Sequence, residues 1–264
     1  GSLMRFRKTN PEDLPQLKEL WKRGFDDTDE AIDAFFAVAY PNAAGFCAEE
    51  DGRIAAALYA LPQTVACEDE TCRAAYLYAV TTHPDFRRRG ICKDLIAYTE
   101  KSLRKRYFDC LLLVPASEQL RAYYASLGFI PQKAAFEETG PAPEARGLYE
   151  ALSPQEYAGL RETILLDTPH VRYSLDDLRY EATMAAFYRL ELGTHFGCAA
   201  AHREGDTLVA DEILPDGALL PALLKAVPAK TCRVRAPGAQ DAFAMCKWLT
   251  EPKWNEIYLA FDFA

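Results

Sequence analysis

The feature that most constrains the fold is the run Val80-Thr81-Thr82-His83-Pro84-Asp85-Phe86-Arg87-Arg88-Arg89-Gly90-Ile91. Ahead of it, Arg73 to Val80 (Ala74, Ala75, Tyr76, Leu77, Tyr78, Ala79) is apolar enough for a central strand. After it, Ile91, Cys92, Leu95, Ile96, Thr99 and Leu103 recur at helical spacing, and Lys93, Asp94, Lys101, Arg104 and Lys105 are left for water. A buried strand therefore passes through a proline-bearing loop and a basic, glycine-containing turn into a long helix. That junction makes an anion site, because first-turn N–H groups lack intrahelical partners and the helix dipole adds positive charge. Gly90 lets the backbone approach a bulky anion, and neighbouring arginines can pair with phosphate oxygens. Alone, three arginines would read as a solvated run; their place between strand and helix favours the anion site.

The same alternation of periods extends both ways. Asn10-Pro11-Glu12-Asp13 starts a helix with Leu14, Leu17, Leu20 and Trp21 buried, and a second helix carries Ile32, Phe35, Phe36 and Ala39. Ala44 to Ala48 is short and apolar, Asp51-Gly52 is a hairpin turn, and a long strand runs from Arg53 to Ala66. Asp109 to Val114 is a buried strand, Ser117 to Leu127 a helix ending at Gly128, and two strands lie between Phe129 and Leu152. Ser153-Pro154-Gln155-Glu156 is a capping-box start, so the domain boundary is expected just before it, giving domains 4–152 and 153–264. In the second part a helix is expected from Ser174 to about Leu192. A hairpin (Phe196–His202, Thr207–Leu214), a short helix (Ala218–Val227) and strands at Thr231–Arg235 and Ile257–Phe263 follow. This order echoes the first half as a degenerate repeat.

Composition excludes several classes. Half the residues are apolar and about a quarter charged, as in a globular protein with a real core. The net charge of −9 argues against a nucleic-acid surface and suits an amine-bearing partner. No apolar run reaches the roughly 18 residues of a membrane helix. Gly1-Ser2-Leu3 reads as a remnant ahead of Met4, with no signal peptide after it. The eight cysteines have no framework spacing and the four histidines are isolated, which points to reduced thiols in a cytoplasm and to no metal. Homo-oligomerisation is left open.

Two motifs carry a family resemblance. The first run resembles motif A of the GNAT N-acetyltransferase superfamily, Arg/Gln-x-x-Gly-x-Gly/Ala after a strand. Arg87, Gly90 and Ile91 fit, whereas Cys92 stands where the family has Gly or Ala. The second, Ala122-Tyr123-Tyr124-Ala125-Ser126-Leu127-Gly128-Phe129, resembles the GNAT segment with a tyrosine four residues before Gly-Phe. The tandem order and the Pro-x-x-Arg-Arg-Arg-Gly-Ile run also resemble the enhanced-intracellular-survival acetyltransferases, whose third, sterol-carrier-like domain would not fit in this length. The resemblance implies an α/β (α+β) fold of two tandem GNAT-like acyl-CoA N-acyltransferase domains, mixed central sheets flanked by helices, the second degenerate. In that half Leu214-Pro215-Asp216-Gly217-Ala218-Leu219-Leu220 stands at the phosphate-loop position without the motif and with a repulsive acid, so no coenzyme A is expected there.

The resemblance further implies acetyl-CoA as co-substrate, without metal, and direct attack by an amine of a small molecule or peptide. Amides at Val80 and Thr82, with Thr81 between them, would hold the pantetheine arm. Arg87, Arg88, Arg89, Gly90, Ile91, Cys92 and Lys93 would grip the pyrophosphate. Tyr124 would protonate the departing thiolate, while Tyr123 is expected to pack. Cys92, at a helix N-terminus, is a conceivable acyl relay but is expected to pack. Ala74 to Ala79 holds no carboxylate, so the general base is a water relay or one of Asp26, Asp27, Asp29 and Glu30. The rival is a non-catalytic acyl-CoA sensor or scaffold.

Overall fold

The computed structural model describes residues 3–132, 135–238 and 243–263. The first half runs β1 (Arg5–Lys8), α1 (Leu14–Gly24), α2 (Asp29–Ala34), β2 (Ala44–Glu50), β3 (Arg53–Cys67), β4 (Glu70–Thr82), α3 (Ile91–Lys105), β5 (Cys110–Leu113), α4 (Glu118–Ser126), β6 (Ile130–Gln132), β7 (Ala135–Pro141) and β8 (Leu148–Leu152). The second continues with α5 (Pro154–Ile164), β9 (His170–Arg172), α6 (Leu175–Glu181), β10 (Ala186–Leu192), β11 (His195–Glu204), β12 (Thr207–Leu214), α7 (Leu220–Ala226), β13 (Thr231–Pro237) and β14 (Ala244–Trp248).

Local chemistry sets the helix starts. The Asn10 side chain accepts from the Glu12 amide, and Ser153 and Ser174 each close a capping box with Glu156 and Asp177. The α1 stripe Leu17, Leu20, Trp21 and the α3 stripe Ile91, Leu95, Ile96, Thr99, Leu103 are buried, on opposite faces of the first sheet.

The first sheet has the order β1-β2-β3-β4-β5-β14-β6, with β9 on β3; the second has β8-β10-β11-β12-β13-β7. Each contains a single parallel pair, β4 with β5 and β12 with β13. Beside that pair each sheet takes an antiparallel strand from the other half: β14 on β5, and β7 on β13. Strands thus cross the residue 152 position in both directions. One apolar core also spans the halves, joining Trp21, Tyr59 and Tyr76 to Val171, Tyr173, Tyr258 and Phe261.

Three expectations fail: residues 129–152 hold three strands, β6, β7 and β8, rather than two, and two segments of the second half differ. The helix from Ser174 ends at Glu181, and Ala186–Leu192 is instead β10, paired with β11 on one side and β8 on the other. Two flanking strands satisfy its backbone groups, which outweighs the helix propensity of its leucines and glutamate. Residues 257–263 form no strand beyond one bridge of Tyr258 to His170. This segment is buried apart from Asp262, and its amides find irregular partners: Ile257 donates to Gln132 Oε1, Tyr258 to the Pro169 carbonyl and Phe261 to the Tyr173 hydroxyl. Strands β1, β9 and β14 went unread because each is five residues or fewer and lacks a turn signal of its own.

Candidate functional site

The site is built where β4 leaves its neighbours. Tyr78 pairs with Tyr59 and Thr81 with Ala57, so Ala79 and Val80 together face Leu58. This is a β-bulge, and Ala79 takes φ +54 to make it. On the other side β4 pairs with β5 only from Ala74 to Tyr76. The end of β4 therefore splays from β5 and leaves backbone groups free at the opening.

The basic loop follows. A turn at Pro84–Phe86 buries the Phe86 ring, against which the Arg53 and Arg89 guanidiniums lie at 5.0 and 5.5 Å. Arg88 and Gly90 both have positive φ, and Gly90 is the N-cap of α3 at φ +72 with no side-chain cap on the helix. The first-turn amides of α3 are thus open, as an anion site requires. Val80, Thr81, Thr82, Arg87, Arg88, Gly90, Ile91, Cys92 and Lys93 line one cavity of about 390 Å³, with Tyr123 and Tyr124 opposite. Arg89 does not: Glu50 holds it through two contacts of 3.1 Å.

Tyr124 is buried, and its ring packs on Phe129. Its hydroxyl has no hydrogen-bond partner among the described residues. Burial, then Cys92 and Tyr123, push its pKa up, so it stays a proton donor at neutral pH. Tyr124, Val80 and Leu120 also line a second, larger cavity of about 590 Å³. Its walls include Asp26 and Asp27 after α1, Arg121 on α4, Glu137 on β7, Arg233 and Arg235 on β13, and Asp262. Sequence reading missed Glu137, Arg233 and Arg235, since only the strand exchange brings β7 and β13 there, and it also passed over Arg121 and Asp262.

Of the four candidate bases, Asp26 and Asp27 line this cavity. Asp27 accepts from Trp21 Nε1 at 2.7 Å. Asp29 is tied to Lys22 at 2.8 Å, and neither Asp29 nor Glu30 lines the cavity. Burial raises the Cys92 thiol pKa, partly offset by Tyr123 and Thr82, which suits packing rather than nucleophilic relay. In the second half, Asp216 accepts from the Ala218 amide at 2.8 Å, so the turn at the phosphate-loop position carries its own carboxylate. Among the described residues no His, Cys, Asp and Glu cluster could hold a metal ion, and no helix is long and apolar enough to cross a membrane.

A bulged, splayed strand followed by an uncapped basic turn marks the first sheet, and the second sheet repeats its strand order around one parallel pair but has an acidic, capped turn in that place. Residues 5–131 match the family model described as an acetyltransferase (GNAT) domain, so the first half of the chain is a GNAT acetyltransferase domain. A search of curated proteins returns no match. Three solved structures are similar along most of the chain. One is a GCN5-related N-acetyltransferase from Kribbella flavida (TM-score 0.73, 14% identity, covering 95% of this chain and 72% of that one). Another is Eis1 from Mycobacterium abscessus (0.61, 11%, 93% and 73%). The third is a tandem GNAT protein from the clavulanic acid biosynthesis pathway (0.55, 14%, 95% and 100%). At these identities the likeness is one of fold, and it extends the tandem arrangement to the second sheet.

Proposed function

We propose that the protein transfers an acetyl group from acetyl-CoA to a primary amine by direct attack. The observation that carries this reading is that Tyr124 lines both cavities, which supports one tyrosine serving a cofactor groove in the first and an acceptor cleft in the second. Arg87, Arg88, Lys93 and the open amides of α3 would take the pyrophosphate. The splayed edge around Val80 to Thr82 would hold the pantetheine arm.

In the acceptor cleft Asp26 or Asp27 takes a proton from the ammonium. The freed amine attacks the thioester carbonyl, the C–N bond forms, and the C–S bond breaks. Tyr124 gives its proton to the leaving thiolate and regains one from the nitrogen through water, for a net release of one proton to solvent. The free state of all eight cysteines supports a reducing compartment such as the cytoplasm. The test is thiol release on mixing the protein with acetyl-CoA and a panel of amines. Amine-dependent release supports the reading; tight acetyl-CoA binding with no release for any amine leaves a sensor instead.

A further inference from the structure

The large cavity separates its charges, and the separation bears on the acceptor. Asp26 and Asp27 enter from the turn after α1, whose buried stripe lies on one face of the first sheet; Arg121 enters from α4, which packs on the other. The cleft therefore runs through the splay with acids on one side and a cation on the other. The two further arginines are already paired with carboxylates, although Arg235 Nε is also buried without a hydrogen-bond partner among the described residues. Arg235 lies 3.0 Å from Glu137 and 3.6 Å from Asp262, and Arg233 lies between Glu137 and Glu204 at 3.9 and 3.7 Å.

Arg121 differs. Its ion partner is Glu118, 3.4 Å away and almost fully exposed, so that pair is screened by water. Its Nη1 is buried without a hydrogen-bond partner among the described residues. Arg121 also stands outside the cofactor cavity that Tyr124 shares, so the phosphates do not account for it. It precedes Tyr124 by three residues, about 4.5 Å along the helix axis at 1.5 Å per residue.

Resting on the acetyltransferase reading above, we propose that the acceptor is a compact amino carboxylate, such as a free α-amino acid, whose ammonium faces Asp26 and Asp27 while Arg121 binds its carboxylate. Arg121 is then a specificity residue for the acceptor. A planar guanidinium meets a carboxylate through two parallel N–H···O bonds, which an uncharged carboxamide cannot return.

The experiment compares the common L-amino acids with their carboxamides as acceptors, in the full chain and in Arg121→Gln and Arg121→Lys. At least one free acid should exceed its amide in kcat/KM by ~10-fold or more, the scale of a lost charged hydrogen bond. Arg121→Gln should bring that ratio towards one through the acceptor KM, leave the acetyl-CoA KM in place, and be partly rescued by Arg121→Lys. Calorimetry of the same acids with coenzyme A present gives a second reading that needs no turnover. Amides matching or exceeding acids, or a raised acetyl-CoA KM in Arg121→Gln, overturns the proposal. Thiol release with simple amines but no acid preference sinks this inference alone; no release with any amine sinks the reading beneath it, while acid binding lost in Arg121→Gln would still uphold the site.

Discussion

Gly24, the last residue of α1, lies so close to Thr81 on β4 that a Cβ at position 24 would stand 2.3 Å from the Thr81 hydroxyl oxygen. Only glycine fits there without movement. The contact holds the turn carrying Asp26 and Asp27 against the bulged end of β4, which borders both cavities.

Gly24→Ala should therefore push that turn from the strand, costing about 1–3 kcal/mol if the neighbours resist, and lower turnover. Because the nearest atom is the Thr81 hydroxyl, Thr81→Ala in the same chain should recover much of both losses. Urea unfolding and thiol-release kinetics on the two single variants and the double variant measure the coupling. Additive losses would mean that the close approach does not position the turn.

The cofactor loop yields a second expectation. Arg87 and Arg88 form no ion pair among the described residues, and no atom lies within 4 Å of a Cβ built on Gly90. Arg88→Ala with Gly90→Asp should leave the fold in place but remove a phosphate partner, add a repulsive acid and strain a position at φ +72. Acetyl-CoA affinity should fall by more than ~1.5 kcal/mol in calorimetry. Replacing Asp216 on the second half should leave that affinity as it is.

The first half was readable in the sequence because its signals are local. The strand, the loop and α3 come from contiguous residues whose apolar period switches once, and Tyr124 is singled out by the resemblance of its segment, ending in Gly128-Phe129, to the family's. What was not readable depends on distant pairing. Met245 and Cys246 are buried only because β14 enters the sheet beside β5, and Glu137 and Arg235 meet only because β7 pairs with β13. A short strand carries no mark of its partner, so the wall that β7 and β13 give the larger cavity could not be written from spacing. Phe187 and Leu190, three residues apart, would share one helix face, but in β10 they enter two different apolar clusters.

A pH dependence follows from His202. Asp211 at 3.7 Å from Nδ1 and Glu204 at 3.0 Å from Nε2 favour the imidazolium and, against burial, push its pKa up to about 9. The folded value stands above the unfolded one of about 6.5. The charged ring therefore contributes stability that is complete below about pH 6.5 and lost as the pH rises through about 9. With the ring a quarter exposed, the contribution should be on the order of 1–2 kcal/mol. Urea midpoints at pH 6, 7.5 and 9 should decline in the parent chain and flatten in His202→Gln; parallel declines would show that another group titrates.

Tyr124→Phe isolates the proposed proton donor. The ring packs on Phe129 and Tyr123, and phenylalanine keeps that packing, so stability should hold. The hydroxyl is the only group removed, and it makes no hydrogen bond among the described residues that the fold would miss. Acetyl-CoA affinity should barely change, because the phosphate contacts proposed above lie on the loop and α3. If the hydroxyl protonates the leaving thiolate, turnover should fall by ~10²-fold or more, the scale of losing a positioned proton donor. The loss should appear in kcat and kcat/KM together, since the interaction strengthens only as charge develops on sulfur. The raised hydroxyl pKa adds a second signature: the parent should show no alkaline loss of kcat from Tyr124 across the neutral range. A variant that keeps nearly full turnover would make Tyr124 a packing residue and move the proton to water.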